Sequence, residues 1–472
     1  MISRRNFLQS SVALTALAEL PFAAAGATHQ ARQLRLGVLA DLHVKGEDST
    51  GTFEKALRFF DAQKADGVVC AGDLATSGLS SELERVARAW FRVFPDNRRS
   101  DGGAVEKLFI YGDHDMGGYA WKESRGLLSE AELQAQIIPT HDPKAIWERC
   151  FREPWEPVQV KEIKGFAFFL AHHPPHNEAT AQGNYIPGVA SVLAAHAAKL
   201  EGRPFFYIQH RPIPGLADEK TIWRKGDPRM AATLRRYSSC IALTGHTHRS
   251  CTDEELLWQG DFTALNVPCL RYLGLRPGRE NSRAWNPAEN ADLLMEALAP
   301  RDGQQAYLLD VTEREIVVRR LDFAYSTGAA VASPWRIPLP VPGEGSAAWA
   351  ARAAAEGAPR FQPDARMRVR AAQGKDRAGK TRSTLVVAFP PAFSTPTTPR
   401  AFDYEVIAEG AKGRIVKRVF SMKCYLPEEL DAGHVECVFA HEAVGEGPVR
   451  IDVFPCGCFG VKGVPLSCLW KG

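Results

Sequence analysis

Long apolar runs are absent from this 472-residue chain beyond its N-terminal segment. A membrane-spanning helix needs about 20 apolar residues, and no later window approaches that length, which excludes a multi-span membrane protein. Charge imbalance is absent too. The 58 Lys and Arg against 55 Asp and Glu leave a formal +3 with no basic run or stripe, so nucleic acid binding is not indicated. There is no internal repeat. Ten cysteines are present, but not at the spacing of a small disulfide-stapled domain. Cys456-Gly457-Cys458 lacks a second pair at zinc-finger distance, which argues against a metal clip. Cys424, Cys437 and Cys468 lie in the same C-terminal region; reduced, partly buried thiols are the expectation there, although an exported chain permits a bridge.

What remains is an ordinary globular composition, 45% hydrophobic and 24% charged. At roughly 100 to 250 residues per domain, the chain is too long for one core and holds two folded units. Residues 1–27 stand apart from both. Arg4 and Arg5, then Phe7 and Leu8, then a weakly apolar stretch ending in small residues at Ala23, Ala25 and Ala27, read as an export signal. The paired arginines resemble a twin-arginine signal, whose pathway carries folded proteins and implies a periplasmic or secreted location. Glu19 interrupts the apolar stretch, so no stable membrane span remains once the signal is removed.

From about Gln33 to residue 325, short apolar runs alternate with amphipathic stretches, the pattern of an α/β fold with parallel strands. "ASPWRIPLPVPGEGS" and the Ala-rich run after it read as a linker with a short helix over 326–360. Residues 361–472 alternate short strands with turn signals and predict a small all-β sandwich of fibronectin-like type. The apolar runs of the first unit share one property. They end in carboxylates or histidines: Asp41 and His43, Asp73, Asp113 and His114, His210, then His246 and His248. Ligands of open α/β sheets bind beyond the carboxyl ends of strands, so these side chains are expected to converge. Nitrogen and oxygen donors in this mixture suit Zn, Mn or Fe rather than Ca. Gly72, Gly112 and Gly245 beside them would let backbone approach a bound group.

"DLH" at 41–43, "GDLATSG" at 72–78, "GDHD" at 112–115, "QHRP" at 209–212 and "GHTH" at 245–248 together resemble the calcineurin-like metallophosphoesterases. The resemblance implies a four-layer α/β/β/α sandwich and a hydrolase that uses two divalent or mixed-valence metal ions, Mn, Fe or Zn. It implies that Asp41, His43, Asp73 and His248 hold one metal, that Asp73 bridges, and that Asp113, His210 and His246 complete the other. A phosphomonoester or phosphodiester would then be attacked by a metal-bridging hydroxide, with His114 protonating the leaving group. Asp115 is expected to orient His114 and raise its proton affinity, its bland alternative being a turn-capping carboxylate. His173 remains an alternative to His210, and His176 is a candidate for the pocket wall. Arg211 and Arg249, each beside a proposed ligand, could contact phosphate, but the first reading for either is a solvated surface charge. One departure stands out. Asp113 occupies the position where the family has Asn, adding a negative charge and removing an amide donor. The competing reading is therefore a catalytically impaired metal-binding or interaction protein that keeps the scaffold.

Overall fold

The computed structural model describes residues 33–472 except 117–127, 139–140, 176–184, 214–227, 283–293, 296–297, 299–301, 340–346, 377, 394–398, 422–423 and 427–432. Residues 1–27, expected to be an export signal, and His176 lie outside the described residues. Among the described residues no helix is long and apolar enough to cross a membrane.

Strand β1 (Leu34–Leu39) shows how the layers arise. Its side chains alternate: Leu34, Leu36 and Val38 enter one core, while Leu39 enters another on the opposite face. Gly37 also faces the second core, and a Cβ there would meet the Phe60 ring at 2.4 Å, so the missing side chain lets helix α1 (Gly51–Ala62) lie close to the sheet. Helix α1 buries Phe53, Ala56, Leu57 and Phe60, a spacing of three and four that makes one apolar stripe. Helix α2 (Ser80–Val93) does the same with Leu83, Val86, Ala87, Trp90 and Val93.

β1 pairs in parallel with β2 (Gly67–Cys70), which pairs in parallel with β3 (Glu106–Phe109). A second sheet carries β4 (Val158–Ile163), β5 (Phe166–Ala171), β6 (Phe205–Ile208), β7 (Cys240–Thr244), β8 (Leu257–Gln259) and β9 (Thr263–Asn266) in the order β4-β5-β6-β7-β9-β8. The first sheet is extended antiparallel from β1 by β10 (Gln305–Val311), β11 (Glu315–Asp322) and β12 (Ala329–Pro338). Leu36, Val38, Val69 and Leu108 of the first sheet meet Leu170, Ile208, Leu243 and Leu265 of the second in one core. The outer face of the second sheet packs Phe169, Tyr207 and Ala242 against Leu193 and Leu200 of the helix Val189–Leu200. The layering is an α/β/β/α sandwich, with helices outside two facing sheets.

The 326–360 linker is corrected in part. Ala329–Pro338 is the edge strand β12, with Val331, Trp335 and Ile337 buried against the core and Arg336 outward. Pro334 and Pro338 signalled a linker, but an edge strand tolerates proline because one row of its amides has no partner to lose. The helix Ala347–Ala355 follows, and its Arg352 donates to the Leu257 and Glu254 carbonyls.

The C-terminal part is all-β. One sheet orders β13 (Arg368–Lys375), β14 (Thr381–Phe389) and β17 (Val435–Ala440); the other orders β16 (Gly413–Val419), β15 (Asp403–Gly410), β18 (Val449–Cys456) and β19 (Leu466–Trp470). Leu385, Val387 and Phe439 share a core with Val406, Ile451 and Val453 of the other sheet. The β15–β16 hairpin turns at Gly413, whose φ of +108° needs a residue without Cβ. This part contacts the first through Leu273 and Cys269 against Phe420 and Tyr425, and through Arg279, whose guanidinium grips Asp403 at 2.7 Å. All ten cysteines are free thiols, nine of them buried. Cys458 donates its thiol proton to Asp253 at 3.2 Å across the same contact.

Candidate metal centre

Every strand that reaches the centre delivers its donors from a loop held by backbone hydrogen bonds. Beyond β1 and β2, the Asp41 and His43 amides donate to the Gly72 and Asp73 carbonyls, each at 3.0 Å. Beyond β6 and β7, the Gly245 amide donates to the His210 carbonyl at 2.8 Å. The two sheets thus present their carboxyl ends to one place.

Three glycines make the convergence possible. They let the donor-bearing segments approach one another. A Cβ on Gly72 would sit 2.5 Å from His210 Nδ1, one on Gly112 would sit 2.2 Å from the Asp73 amide and Oδ1, and one on Gly245 would sit 2.9 Å from Asp41 Oδ2. Five of the seven donors occupy left-handed backbone, with φ of 55° at Asp41, 44° at His43, 53° at Asp73, 73° at His246 and 56° at His248. Left-handed backbone at five non-glycine residues is strained and aims the side chains inward.

The result is two sets of four donors. Asp41, His43, Asp73 and His248 place one ligand atom each within 4.8 Å of one another, and so do Asp73, Asp113, His210 and His246. Asp73 belongs to both. In the first set His43 Nε2 stands 3.2 Å from His248 Nε2, which stands 3.1 Å from Asp41 Oδ1. In the second, His210 Nε2 lies 3.2 Å from Asp73 Oδ1 and 2.9 Å from Asp113 Oδ1, with His246 Nδ1 3.3 Å from that same oxygen. His173, the alternative to His210, is in neither set; its Nδ1 is engaged by the Pro174 carbonyl, and burial pulls it down to about 4.

Cations fit these residues. Asp73 Oδ2 is buried with no hydrogen-bond partner among the described residues, which in a protein interior calls for a ligand, and His210 Nε2 is turned onto the carboxylate oxygens of Asp73 and Asp113. Nδ1 of His210 is held by the Ala71 carbonyl at 2.7 Å and Nδ1 of His248 by the Tyr272 carbonyl at 3.2 Å, so that each ring turns Nε2 inward, as outer hydrogen bonds do in metal sites. Burial opposes charge throughout, yet mutual attraction prevails at several groups. Asp113 is held well below the carboxylate range by His246 and His210, and His210 is raised well above the histidine range by Asp73 and Asp113. A bound cation takes the place of such shared protons.

His114 caps the rim. Its amide donates to Asp73 Oδ1 at 2.8 Å, its Nδ1 meets the Thr76 carbonyl at 2.6 Å, and its ring lies edge-on to His43 with centroids 4.6 Å apart. Burial lowers its proton affinity, but Asp73, the Thr76 carbonyl and Asp113 raise it above the ordinary value. The expected role of Asp115 does not match its placement. Fully buried, it accepts amide protons from Gly112 at 2.6 Å, Ala75 at 2.7 Å and Leu74 at 3.1 Å, tying the β2 loop to the end of β3. The Thr76 carbonyl, not Asp115, engages His114 Nδ1. Burial and the Asp73 charge push Asp115 up to about 7 against the pull of those amides.

The two arginines were also misread. Arg211 is mostly buried and donates to Asp113 Oδ2 at 2.7 Å; Arg249 is buried beside Asp253, which Arg276 holds at 2.5 Å. Adjacency to His210 and His248 was the available signal for both. Tyr272 carried no signal, yet its ring leans on His248 and His43 at centroid distances of 4.4 and 5.7 Å.

Residues 34–250 match the family described as calcineurin-like phosphoesterase. Among solved structures, a dimetal phosphatase from Danio rerio is 12% identical over 65% of this chain and 99% of its own, with a TM-score of 0.38. A purple acid phosphatase from yellow lupin (Lupinus luteus) seeds is 13% identical over 65% of this chain and 53% of its own, with a TM-score of 0.39. No curated protein sequence matches the chain.

Proposed function

We propose that the chain is an exported phosphoesterase that uses two metal ions to hydrolyse a phosphomonoester or phosphodiester. One observation carries the reading: two four-donor sets share Asp73, whose buried Oδ2 lacks a hydrogen-bond partner among the described residues. Asp41, His43, Asp73 and His248 would hold one ion, and Asp73, Asp113, His210 and His246 the other. When bound, a pair of such ions polarises phosphoryl oxygens and makes water acidic enough to attack at neutral pH. The donor set suits Mn, Fe or Zn.

The chain's own residues supply the rest. His114 stands beside His43 with Nδ1 engaged by Thr76, which directs Nε2 outward as a proton donor to the leaving alcohol. Asp73 positions the His114 backbone through its amide, so the acid and the shared carboxylate move together. Asp115 fixes both loops from behind. Tyr272 walls the side of His43 and His248. The two arginines at 4 and 5 support export in folded form, with metal loading preceding transport.

The test is metal content with hydrolysis of a chromogenic phosphomonoester and a bis-aryl phosphodiester. Two metals per chain and turnover of either ester are expected. A protein with less than about one metal per chain, inert to both esters after Mn or Zn addition, would refute the proposal.

A further inference from the structure

We propose that Asp113 and Arg211 act as one unit through which Arg211 places a fixed N–H donor and positive charge against the phosphoryl oxygens of the substrate. The inference rests on the phosphoesterase reading and adds a substrate-binding residue to it. The geometry of Asp113 is its basis. Oδ1 faces the second donor set, 2.9 Å from His210 Nε2 and 3.3 Å from His246 Nδ1, while Oδ2 receives an Arg211 guanidinium N–H at 2.7 Å. One carboxylate thus divides its two oxygens between a cation site and a guanidinium.

Arg211 follows His210 directly, so a donor of the second set and the guanidinium leave adjacent points of one backbone. Its side chain is 13% exposed, close to the 16% of His246 and the 12% of His248, so Arg211 is no more sealed from solvent than those two donors are. A guanidinium is planar and rigid, and anchoring one nitrogen fixes the direction of its remaining N–H groups. Paired with a phosphoryl group, such a fork makes short charge-assisted hydrogen bonds.

The charge count favours the same assignment. Two divalent ions against Asp41, Asp73 and Asp113 leave about +1 by formal count, and Arg211 restores about +2. Asp113 alone would weaken the attraction for phosphate; with Arg211 on its second oxygen the deficit is cancelled. A monoester dianion gains more from that restored charge than a diester monoanion does.

The experiment compares the metal-loaded parent with Arg211→Ala and Arg211→Lys, reading metal content, the dissociation constant for inorganic phosphate, and KM for the monoester and the diester. For Arg211→Ala, full metal content is expected with phosphate bound roughly 10- to 100-fold more weakly, and KM rising more for the monoester. Arg211→Lys should recover part of the phosphate affinity, because it restores the charge without the fork. Unchanged phosphate affinity in an active Arg211→Ala protein overturns this inference alone. Loss of metal from Arg211→Ala at saturating metal overturns it as well, by assigning Arg211 to the support of Asp113. A parent chain without metal or turnover overturns the phosphoesterase reading first, before any variant is made. If Arg211→Ala fails to fold, phosphate affinity in Arg211→Lys equal to that of the parent overturns the fork.

Discussion

Asp115→Ala separates a scaffold role from a catalytic one. The buried carboxylate accepts three backbone amides, at 2.6 Å from Gly112, 2.7 Å from Ala75 and 3.1 Å from Leu74. Alanine leaves all three donors without their acceptor. An unsatisfied buried donor costs about 1–3 kcal/mol, so the upper bound is about 9 kcal/mol; water entering the vacated space reduces it to an expected ~3–5 kcal/mol. Asp115→Asn keeps one carbonyl oxygen and should lose about half as much. Urea unfolding monitored by fluorescence measures both, at about pH 8 so that the carboxylate form prevails. Turnover, normalised to folded protein, should fall less in Asp115→Asn than in His114→Ala. The reasoning is refuted if Asp115→Ala loses under about 1 kcal/mol of stability while kcat drops as far as in His114→Ala, since Asp115 would then be acting on the histidine.

Two other perturbations test the frame around the centre. In Gly72→Ala the new methyl meets His210 Nδ1 at 2.5 Å and the backbone holds φ at +92°, so metal titration should show one ion bound about 10- to 100-fold more weakly; unchanged binding of both would contradict the packing argument. Asp253 is buried, and although burial alone would raise it, Arg276 and Arg249 hold it below the ordinary carboxylate value. Its contribution to stability is therefore present above the unfolded value near 3.8 and lost as the pH falls below about 4. The difference in urea midpoint between the parent and Asp253→Asn should shrink over that fall, and a constant difference would refute the ion-pair account.

The first domain was legible in the sequence because its chemistry and its periodicity coincide. Runs such as "CIALTGH" announce a buried strand and then a charged end, and all seven candidate ligands reach the centre. What escaped the sequence depends on direction in space. Asp115 adjoins His114 in the chain, yet a single helical turn, Asp113–Met116, points the two side chains apart. Arg211 and Arg249 read as solvated because a charge beside a donor is indistinguishable from a surface charge until the carboxylate it meets in space is located. Asp113 and Asp253 are those partners. β12 was hidden by its prolines, since composition cannot distinguish an edge strand from a linker.

The left-handed backbone at Asp41, His43, Asp73, His246 and His248 has an evolutionary reading. At about 1 kcal/mol or more apiece, these five positions hold back about 5 kcal/mol, the scale of a domain's whole net stability. Glycine would suit each backbone position better than the residue present. Descendants under no demand for the donors would therefore drift toward glycine there and become more stable proteins, whereas donor side chains at all five are what a metal centre would require.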